Sequence, residues 1–583
     1  MRLGSFGIID PGDGYFAEAS REMLERGDFV TPHLNYQIYF SKPILIYWLI
    51  SSAYYAFGVS EMAARLWPAA LATALVISTY WVTRCLAGAR AGLLAGLILV
   101  SSPLVVTFAR LSMVDMPFTS FLGIAVCALV MTVVVGSRRW WPVIYAALAL
   151  SVLTKGPAGL VLFGLGVLAF LAVGRPSKQR LIGWIKQLEP GWGSLIFLAI
   201  TVPWHVAVGL ATRGLFLQVF YLYENLGRFE GHVNHAHEEL WYYLPVLAYG
   251  FFPWVMFLPE ALKRAFPGRE SKPVWESKQA AGLLLMACWI LTVLVFFTLS
   301  RTKLQTYILP CFAAMAVIIA VTLEGWLGTA QANRRPPRSL GILSPILALL
   351  GLAAACAGPI AAVTVKHIDL WMRLVAALSG LCLGVGWIYQ FMLLRRQQFE
   401  RSLWCLLSTS TVVCALVTPV AFELGYRYRD ADLREVIRCI PRHHSKVAIY
   451  QDFKPSIMFY LRRPVDSFFS PDWLVKVDDP HANAQPRQFV ITSQKADRDL
   501  IAAHGGRLSL VASKGSWRVY ETVRLSLLPL PTLEQTFKYR LNMSTNKYSW
   551  GTLPFAGGPW PVRKQAAGRS EVTDNRTERP DQQ

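Results

Sequence analysis

The chain has 583 residues, 54% of them hydrophobic and 16% charged, with a mean hydropathy of +0.38; one soluble core cannot bury that much apolar surface, so a soluble globular protein is excluded and a bilayer is its main solvent. A net charge of +21 would suggest nucleic acid in a soluble protein, but here Lys and Arg sit in short loops between apolar segments, the pattern of membrane orientation and anionic headgroup contact, and nucleic acid is excluded as a partner. Of the cysteines only Cys439 lies in a polar region, so neither a disulfide framework nor a cysteine-based metal site is readable.

No apolar run before Asp10 is long enough for a signal-peptide core, so export of polar parts is expected to depend on transmembrane helices. The acidic turn Asp10-Pro-Gly-Asp13 precedes a stretch that puts Phe16, Ala19, Met23 and Leu24 on one face and charges on the other, with Gly27 as a stop. It predicts a helix lying in the membrane interface. Residues 43–58 are apolar but short and follow Lys42-Pro43, which predicts a second interfacial helix.

Apolar windows then recur at 61–86, 89–109, 116–136, 140–153, 157–174, 193–211, 243–262, 281–299, 305–323, 342–364, 372–394 and 402–421, which predicts about twelve spans of bilayer length. The loops alternate in charge. Arg84 and Arg90, Arg138 and Arg139, Arg175 to Lys186, Lys263 to Lys278, Arg334 to Arg338, and Arg395 to Arg401 mark one side, which the positive-inside rule makes cytoplasmic. Residues 1–60, the loop 212–242 and everything after about Phe422 then lie outside. Residues 422–525 alternate strand-like and helical segments, with strands at 446–450, 488–492, 507–513 and 517–522 and helices at 431–440, 455–462 and 494–504. They predict a small extracytoplasmic α/β domain of about 100 residues. Residues 526–583 read as a polar, disordered tail. The fold class is thus an α-helical polytopic membrane protein with a small C-terminal α/β domain.

Four clusters carry candidate chemistry. In the first, Asp10 or Asp13 can take a proton from an acceptor hydroxyl as its oxygen attacks a sugar's anomeric carbon, with Glu18 nearby; the plainer reading is that one of the two Asp residues caps the helix. The second gathers Lys42, Asp115 in Ser112-Met-Val-Asp115-Met-Pro117, and Lys155 in Leu153-Thr-Lys155-Gly-Pro157 at the outer ends of spans. A Lys there either pairs with a lipid phosphate or snorkels to the headgroups, while an Asp there is costly without a partner or a task. The third is the long outer loop, where Arg228 suits an anion clamp. His232, His235 and His237 with nearby carboxylates form either a divalent-metal set or a solvated polar loop, and their spacing matches no recognised zinc pattern. In the fourth, Arg301, Lys303 and Tyr307 face the same aqueous layer and make an anionic ligand easier to accommodate.

Taken in order, the acidic turn with Ala17-Glu18 and Arg21-Glu22-Met23-Leu24, then Gly27-Asp28, Pro32-His-Leu-Asn35, Tyr39-Phe-Ser-Lys42-Pro43, Ala63-Ala64-Arg65-Leu66, Asp115-Met-Pro117, Leu153-Thr-Lys155-Gly-Pro157 and Lys303-Leu-Gln-Thr-Tyr307-Ile-Leu-Pro310 form a specific set. It resembles the GT-C membrane glycosyltransferases that use polyprenyl-phosphate sugars, the relatives of the lipid A aminoarabinose transferase and the protein O-mannosyltransferases. The resemblance runs from about Asp10 to Pro310. It implies Asp13 as general base and Lys42 and Arg228 as contacts to the carrier phosphate.

Three departures stand out. The family's Asp-Glu pair is Gly12-Asp13 here, so either Asp13 or Asp10 serves as base. The acid of its Phe-Glu-Lys-Pro segment is Ser41, which removes a carboxylate associated with metal. The transmembrane helix that usually precedes the turn is not readable.

The expectation is an inverting glycosyltransferase of the bacterial inner membrane. It moves a pentose or hexose from a polyprenyl-phosphate donor, held by Lys42, Arg228, Lys303 and Tyr307, to lipid A, another glycan or a protein on the outer side. The rivals are a transporter or lipid flippase, against which no internal repeat is found, and a noncatalytic scaffold presenting the C-terminal domain.

Overall fold

The computed structural model describes residues 3–227, 239–266, 274–330, 338–364, 369–441, 445–468, 474–476, 487–522 and 525–527. Each apolar window of the sequence is helical in it. Seven helices among the described residues are long and apolar enough to cross a membrane, or eight if Tyr243–Gly250 and Trp254–Ala265, bent by 112°, form one span. The remaining windows carry Ala89–Val100, Trp141–Lys155 and Ala158–Gly174, which at 1.5 Å per residue fall short of a hydrocarbon core of about 30 Å, and Arg338–Thr364, which at 27 residues is long enough to cross one. The chain is a multispan membrane protein.

Small residues and buried amides join the later helices, as packing in lipid requires. Arg338–Thr364 and Leu370–Arg395 approach so closely at Gly351 and Gly384 that a Cβ on Gly384 would lie 2.8 Å from the Gly351 carbonyl oxygen. Nearby, Ser344 Oγ donates to Gln390 Oε1 at 2.8 Å and Gln390 Nε2 to Ser402 Oγ at 2.9 Å, linking three helices.

The first helix, Gly12–Arg26, ends as expected on Gly27, whose φ of 68° is the left-handed cap a residue without Cβ adopts freely. Its expected amphipathic exposure is corrected. Asp13 through Met23 are buried all round, Glu18, Arg21 and Glu22 included. The polar face meets protein in place of water. Glu22 accepts the amides of Asn35 and Tyr36, both at 2.7 Å, from the short hairpin of β1 (His33–Leu34) and β2 (Gln37–Ile38). The opposite face meets the next helix, Leu45–Phe57, where Ser51 Oγ and Tyr54 OH donate to the carbonyls of Ser20 and Ala17.

The C-terminal unit is built on a five-stranded sheet. In chain order its strands are β3 (Ser445–Tyr450), β4 (Asp466–Phe468), β6 (Arg487–Ser493), β7 (Leu508–Lys514) and β8 (Trp517–Thr522), in spatial order β4-β3-β6-β8-β7. β5 (Leu474–Lys476) and β9 (Leu525–Leu527) pair separately. β3 runs parallel to β4 and β6, and β8 antiparallel to β6 and β7. Val447, Ile449, Phe489, Ile491 and Val519 point to one face, where the Pro455–Leu461 helix buries Ile457 and Met458. Helical backbone continues from Phe399 through Ile437, so the last apolar helix leads into this unit without a linker.

Candidate active site

Asp13 sits in the first turn of the Gly12–Arg26 helix, and its carboxylate is removed from water. A buried carboxylate needs donors, and four converge. Arg65 of the Glu61–Ala87 helix pairs with Oδ2, the Ile9 amide donates to Oδ2 at 3.2 Å, and Ser112 gives Oδ1 its amide at 2.7 Å and its hydroxyl at 2.5 Å. Arg65 is itself fully buried and its two terminal nitrogens also donate to the carbonyls of Leu3, Phe6 and Gly7 at 2.8 to 2.9 Å. In the sequence Arg65 stands only as part of the Ala63-Ala64-Arg65-Leu66 motif, and nothing local there marks its partnership with Asp13.

Asp10 faces the other way. Its Oδ1 accepts from the Ser456 amide at 3.0 Å, its Oδ2 accepts from the Ser456 hydroxyl, and its carbonyl accepts from Arg429 at 2.9 Å. Ser456 is in the first turn of the Pro455–Leu461 helix, where unpaired amides and the helix dipole favour an anion. Burial nevertheless pushes the Asp10 carboxyl up to about 7. The capping alternative is corrected: neither Asp10 nor Asp13 makes a side-chain cap on the Gly12–Arg26 helix, whose N-cap is Pro11. Asp10 instead serves the end of a helix over 440 residues away in sequence.

Three residues beyond Ser112, Asp115 begins the Asp115–Leu129 helix and accepts from Lys155 Nζ at 2.7 Å. Lys155 ends the Trp141–Lys155 helix. An anion at a helix N-terminus and a cation at a neighbour's C-terminus suit both dipoles. The Lys155 ammonium also lies 5.3 Å from the Phe118 ring centre and 5.0 Å from that of Tyr307, within cation–π reach. Lys42 is near enough to act on the Asp115 charge, and its Nζ donates to the Ser41 carbonyl at 2.7 Å. Lys303 is buried, with Nζ on the Ser300 carbonyl at 2.7 Å. Phe40, Trp204 and Phe216 stack edge to face beside this region.

The Ser112–Asp115 segment therefore brings Asp13, Asp115, Lys155, Lys42 and Tyr307 to one end of the helical bundle. Glu18 stands apart, in a bidentate pair with Arg21 at 2.8 Å. Burial pushes the adjacent Glu22 up to about 8, and the Glu18 charge adds to the effect. Arg228, His232 and His235 lie outside the described residues. Among the described residues no group of three His, Cys, Asp or Glu side chains suits a metal ion.

The family model of dolichyl-phosphate-mannose-protein mannosyltransferases matches residues 3–214, which include the acidic turn, Arg65, Asp115 and Lys155. An undecaprenyl phosphate-alpha-4-amino-4-deoxy-L-arabinose arabinosyl transferase of Pseudomonas aeruginosa is 32% identical over 361 residues, a match covering 60% of this chain and 62% of that relative, less than two thirds of its length. The transferase of the same description from Pectobacterium atrosepticum is 30% identical over 402 residues, covering 67% of this chain and 68% of that relative. The crystal structure of ArnT from Cupriavidus metallidurans bound to undecaprenyl phosphate superimposes with a TM-score of 0.71 at 24% identity, covering 91% of this chain and 96% of that one, and shares the fold.

Proposed function

Because the chain belongs to the undecaprenyl phosphate-alpha-4-amino-4-deoxy-L-arabinose arabinosyl transferase family of GT-C membrane glycosyltransferases, we propose that it transfers such an amino sugar from undecaprenyl phosphate to lipid A at the outer face of the inner membrane. The observation that carries this reading is the Ser112–Asp115 segment, which holds a buried carboxylate at one end and a cluster of lysines at the other. Sugar transfer from a lipid phosphate needs both: a base for the incoming oxygen and cations for the leaving phosphate.

In the proposed reaction the acceptor oxygen attacks the anomeric carbon on the face opposite the phosphate. The anomeric C–O bond breaks, undecaprenyl phosphate leaves with the electron pair, and the configuration inverts. Asp13, held by Arg65 and Ser112, takes the acceptor proton. Lys42, Lys303 and Arg228 neutralise the phosphate, and Tyr307 borders them. Lys155, already bound to Asp115, adds positive potential without itself being released. The twelve-pass topology, with the acidic turn and the sheet domain outside, belongs to the same proposal.

The test is reconstitution with undecaprenyl-phosphate amino sugar and lipid A, following both lipids by mass spectrometry. Sugar-bearing lipid A and free undecaprenyl phosphate are expected. An unchanged donor under conditions in which the protein is folded overturns the reading.

A further inference from the structure

The C-terminal sheet domain grips the acidic turn more closely than a tethered module would. Besides the Ser456 and Arg429 contacts to Asp10, the Tyr460 hydroxyl accepts the Ile8 amide at 2.9 Å, and Asn35 exchanges two hydrogen bonds with the Val465 backbone at 2.8 and 2.9 Å. Tyr15 stacks with Phe453 at 6.2 Å. The approach is tightest at Gly14, where a Cβ would lie 2.4 Å from Asp10 Oδ1 and 3.2 Å from the Pro455 Cβ. Only two residues separate Asp10, held from the domain side, from Asp13, held from the membrane side by Arg65 and Ser112.

We propose that Ser456 is a positioning residue for sugar transfer: its two hydrogen bonds to Asp10 fix the acidic turn so that Asp13 meets the acceptor oxygen. The sheet domain is then part of the catalytic unit. This rests on the reading of Asp13 as proton acceptor. The physical basis is the sensitivity of transfer to placement, since a displacement of about 1 Å in a reacting group costs roughly 100-fold in rate. The turn is held on two sides, at Asp13 by Arg65 and Ser112 and at Asp10 by Ser456 and Arg429. Loss of the Ser456 bonds leaves Asp13 anchored but frees the Asp10 side of the turn to shift. Asp430, Lys454 and Tyr15 lie near the same carboxylate, Asp452 is near Tyr15, and Arg429 binds the Asp10 carbonyl, yet Ser456 alone makes two bonds to the carboxylate oxygens among the contacts described.

The test compares full-length wild type with Ser456→Ala, Ser456→Thr, Gly14→Ala and Asn35→Gly in lipid nanodiscs. Donor turnover is measured alongside hydrogen exchange of the amides from Ile9 to Tyr15. Ser456→Ala is expected to lower kcat by about 10- to 100-fold with donor KM within about twofold, and to speed exchange of the turn by about tenfold. Ser456→Thr keeps the hydroxyl and restores both. Gly14→Ala pushes Asp10 off Ser456 from the other side and reproduces the Ser456→Ala signature, so the test survives should either variant fail to fold. Asn35→Gly loosens a different docking contact at a residue whose φ of 56° suits glycine, and keeps kcat near wild type. Unchanged exchange or unchanged kcat in Ser456→Ala and Gly14→Ala overturns the proposal, as does an equal loss of kcat in Asn35→Gly. A wild type that transfers nothing is a failure of the donor-transfer reading alone, and the exchange comparison still decides whether Ser456 holds the turn.

Discussion

A carboxylate taken out of water must find donors or a proton, and the two acids of the turn do so differently. Asp13 is met by a buried guanidinium, so Arg65→Leu leaves a buried charge uncompensated and is expected to destabilise the protein by about 3–5 kcal/mol, read as a fall in Tm in detergent. Asp13→Asn keeps the shape and part of the hydrogen bonding but removes the proposed base, and transfer is expected to fall by about 100-fold or more. Transfer at wild-type rate in folded Asp13→Asn would remove Asp13 from the mechanism. Lys42→Ala removes a charge-assisted contact worth about 1.5–3 kcal/mol, expected to raise donor KM by roughly 10- to 100-fold with a smaller change in kcat.

Asp10, with its carboxyl raised from the ordinary 3.8 to about 7, binds its proton more tightly in the folded protein than in the unfolded chain. The stability it contributes is fully present below pH 4 and is lost as the pH rises through 7. Tm is accordingly expected to decline across that window and Asp10→Asn to flatten the decline; an equally steep decline in the variant contradicts the assignment. At this scale the sequence was partly legible. Asp115 stood out because a carboxylate at membrane depth demands a partner, and Lys155 is that partner. Ser456 and Arg65 did not stand out, because a serine in the sheet domain and an arginine in a helix carry no local mark of a contact formed across the fold.

Among the elements, hydropathy located each apolar window because the bilayer imposes both length and composition. It did not separate full spans from shorter helices such as Ala89–Val100, where the chain breaks before Pro103. The Gly12–Arg26 helix shows where periodicity misleads. Its charges repeat like those of a water-facing helix, yet Glu22 is covered by the hairpin at residues 33–38 and Glu18 by Arg21. The short strands β1, β2, β4, β5 and β9 went unread because two or three residues hold no period. The glycine contact between Arg338–Thr364 and Leu370–Arg395 makes its own prediction. Gly384→Val is expected to cost about 1–3 kcal/mol through overpacking, measured as a lower Tm, while the same change at Gly341, where a Cβ meets nothing within 4 Å, leaves Tm unchanged.

Over the whole molecule, a helical membrane body and a sheet domain meet at one acidic turn, with continuous helix from Phe399 to Ile437 joining them and the Asp10–Ser456 contact closing the circuit. Lysines gathered around Asp115 lie at the same end of the bundle as that turn. This arrangement suits a donor held by lipid and phosphate and an acceptor approaching from the aqueous side. The most direct test is to incubate the purified full-length protein in nanodiscs with undecaprenyl phosphate bearing 4-amino-4-deoxy-L-arabinose and with lipid A, and to follow both by mass spectrometry. The account predicts lipid A heavier by one amino sugar and an equal amount of free undecaprenyl phosphate, both abolished by Asp13→Asn. Donor that stays intact, or that only crosses to the opposite leaflet, contradicts it and favours a lipid transporter.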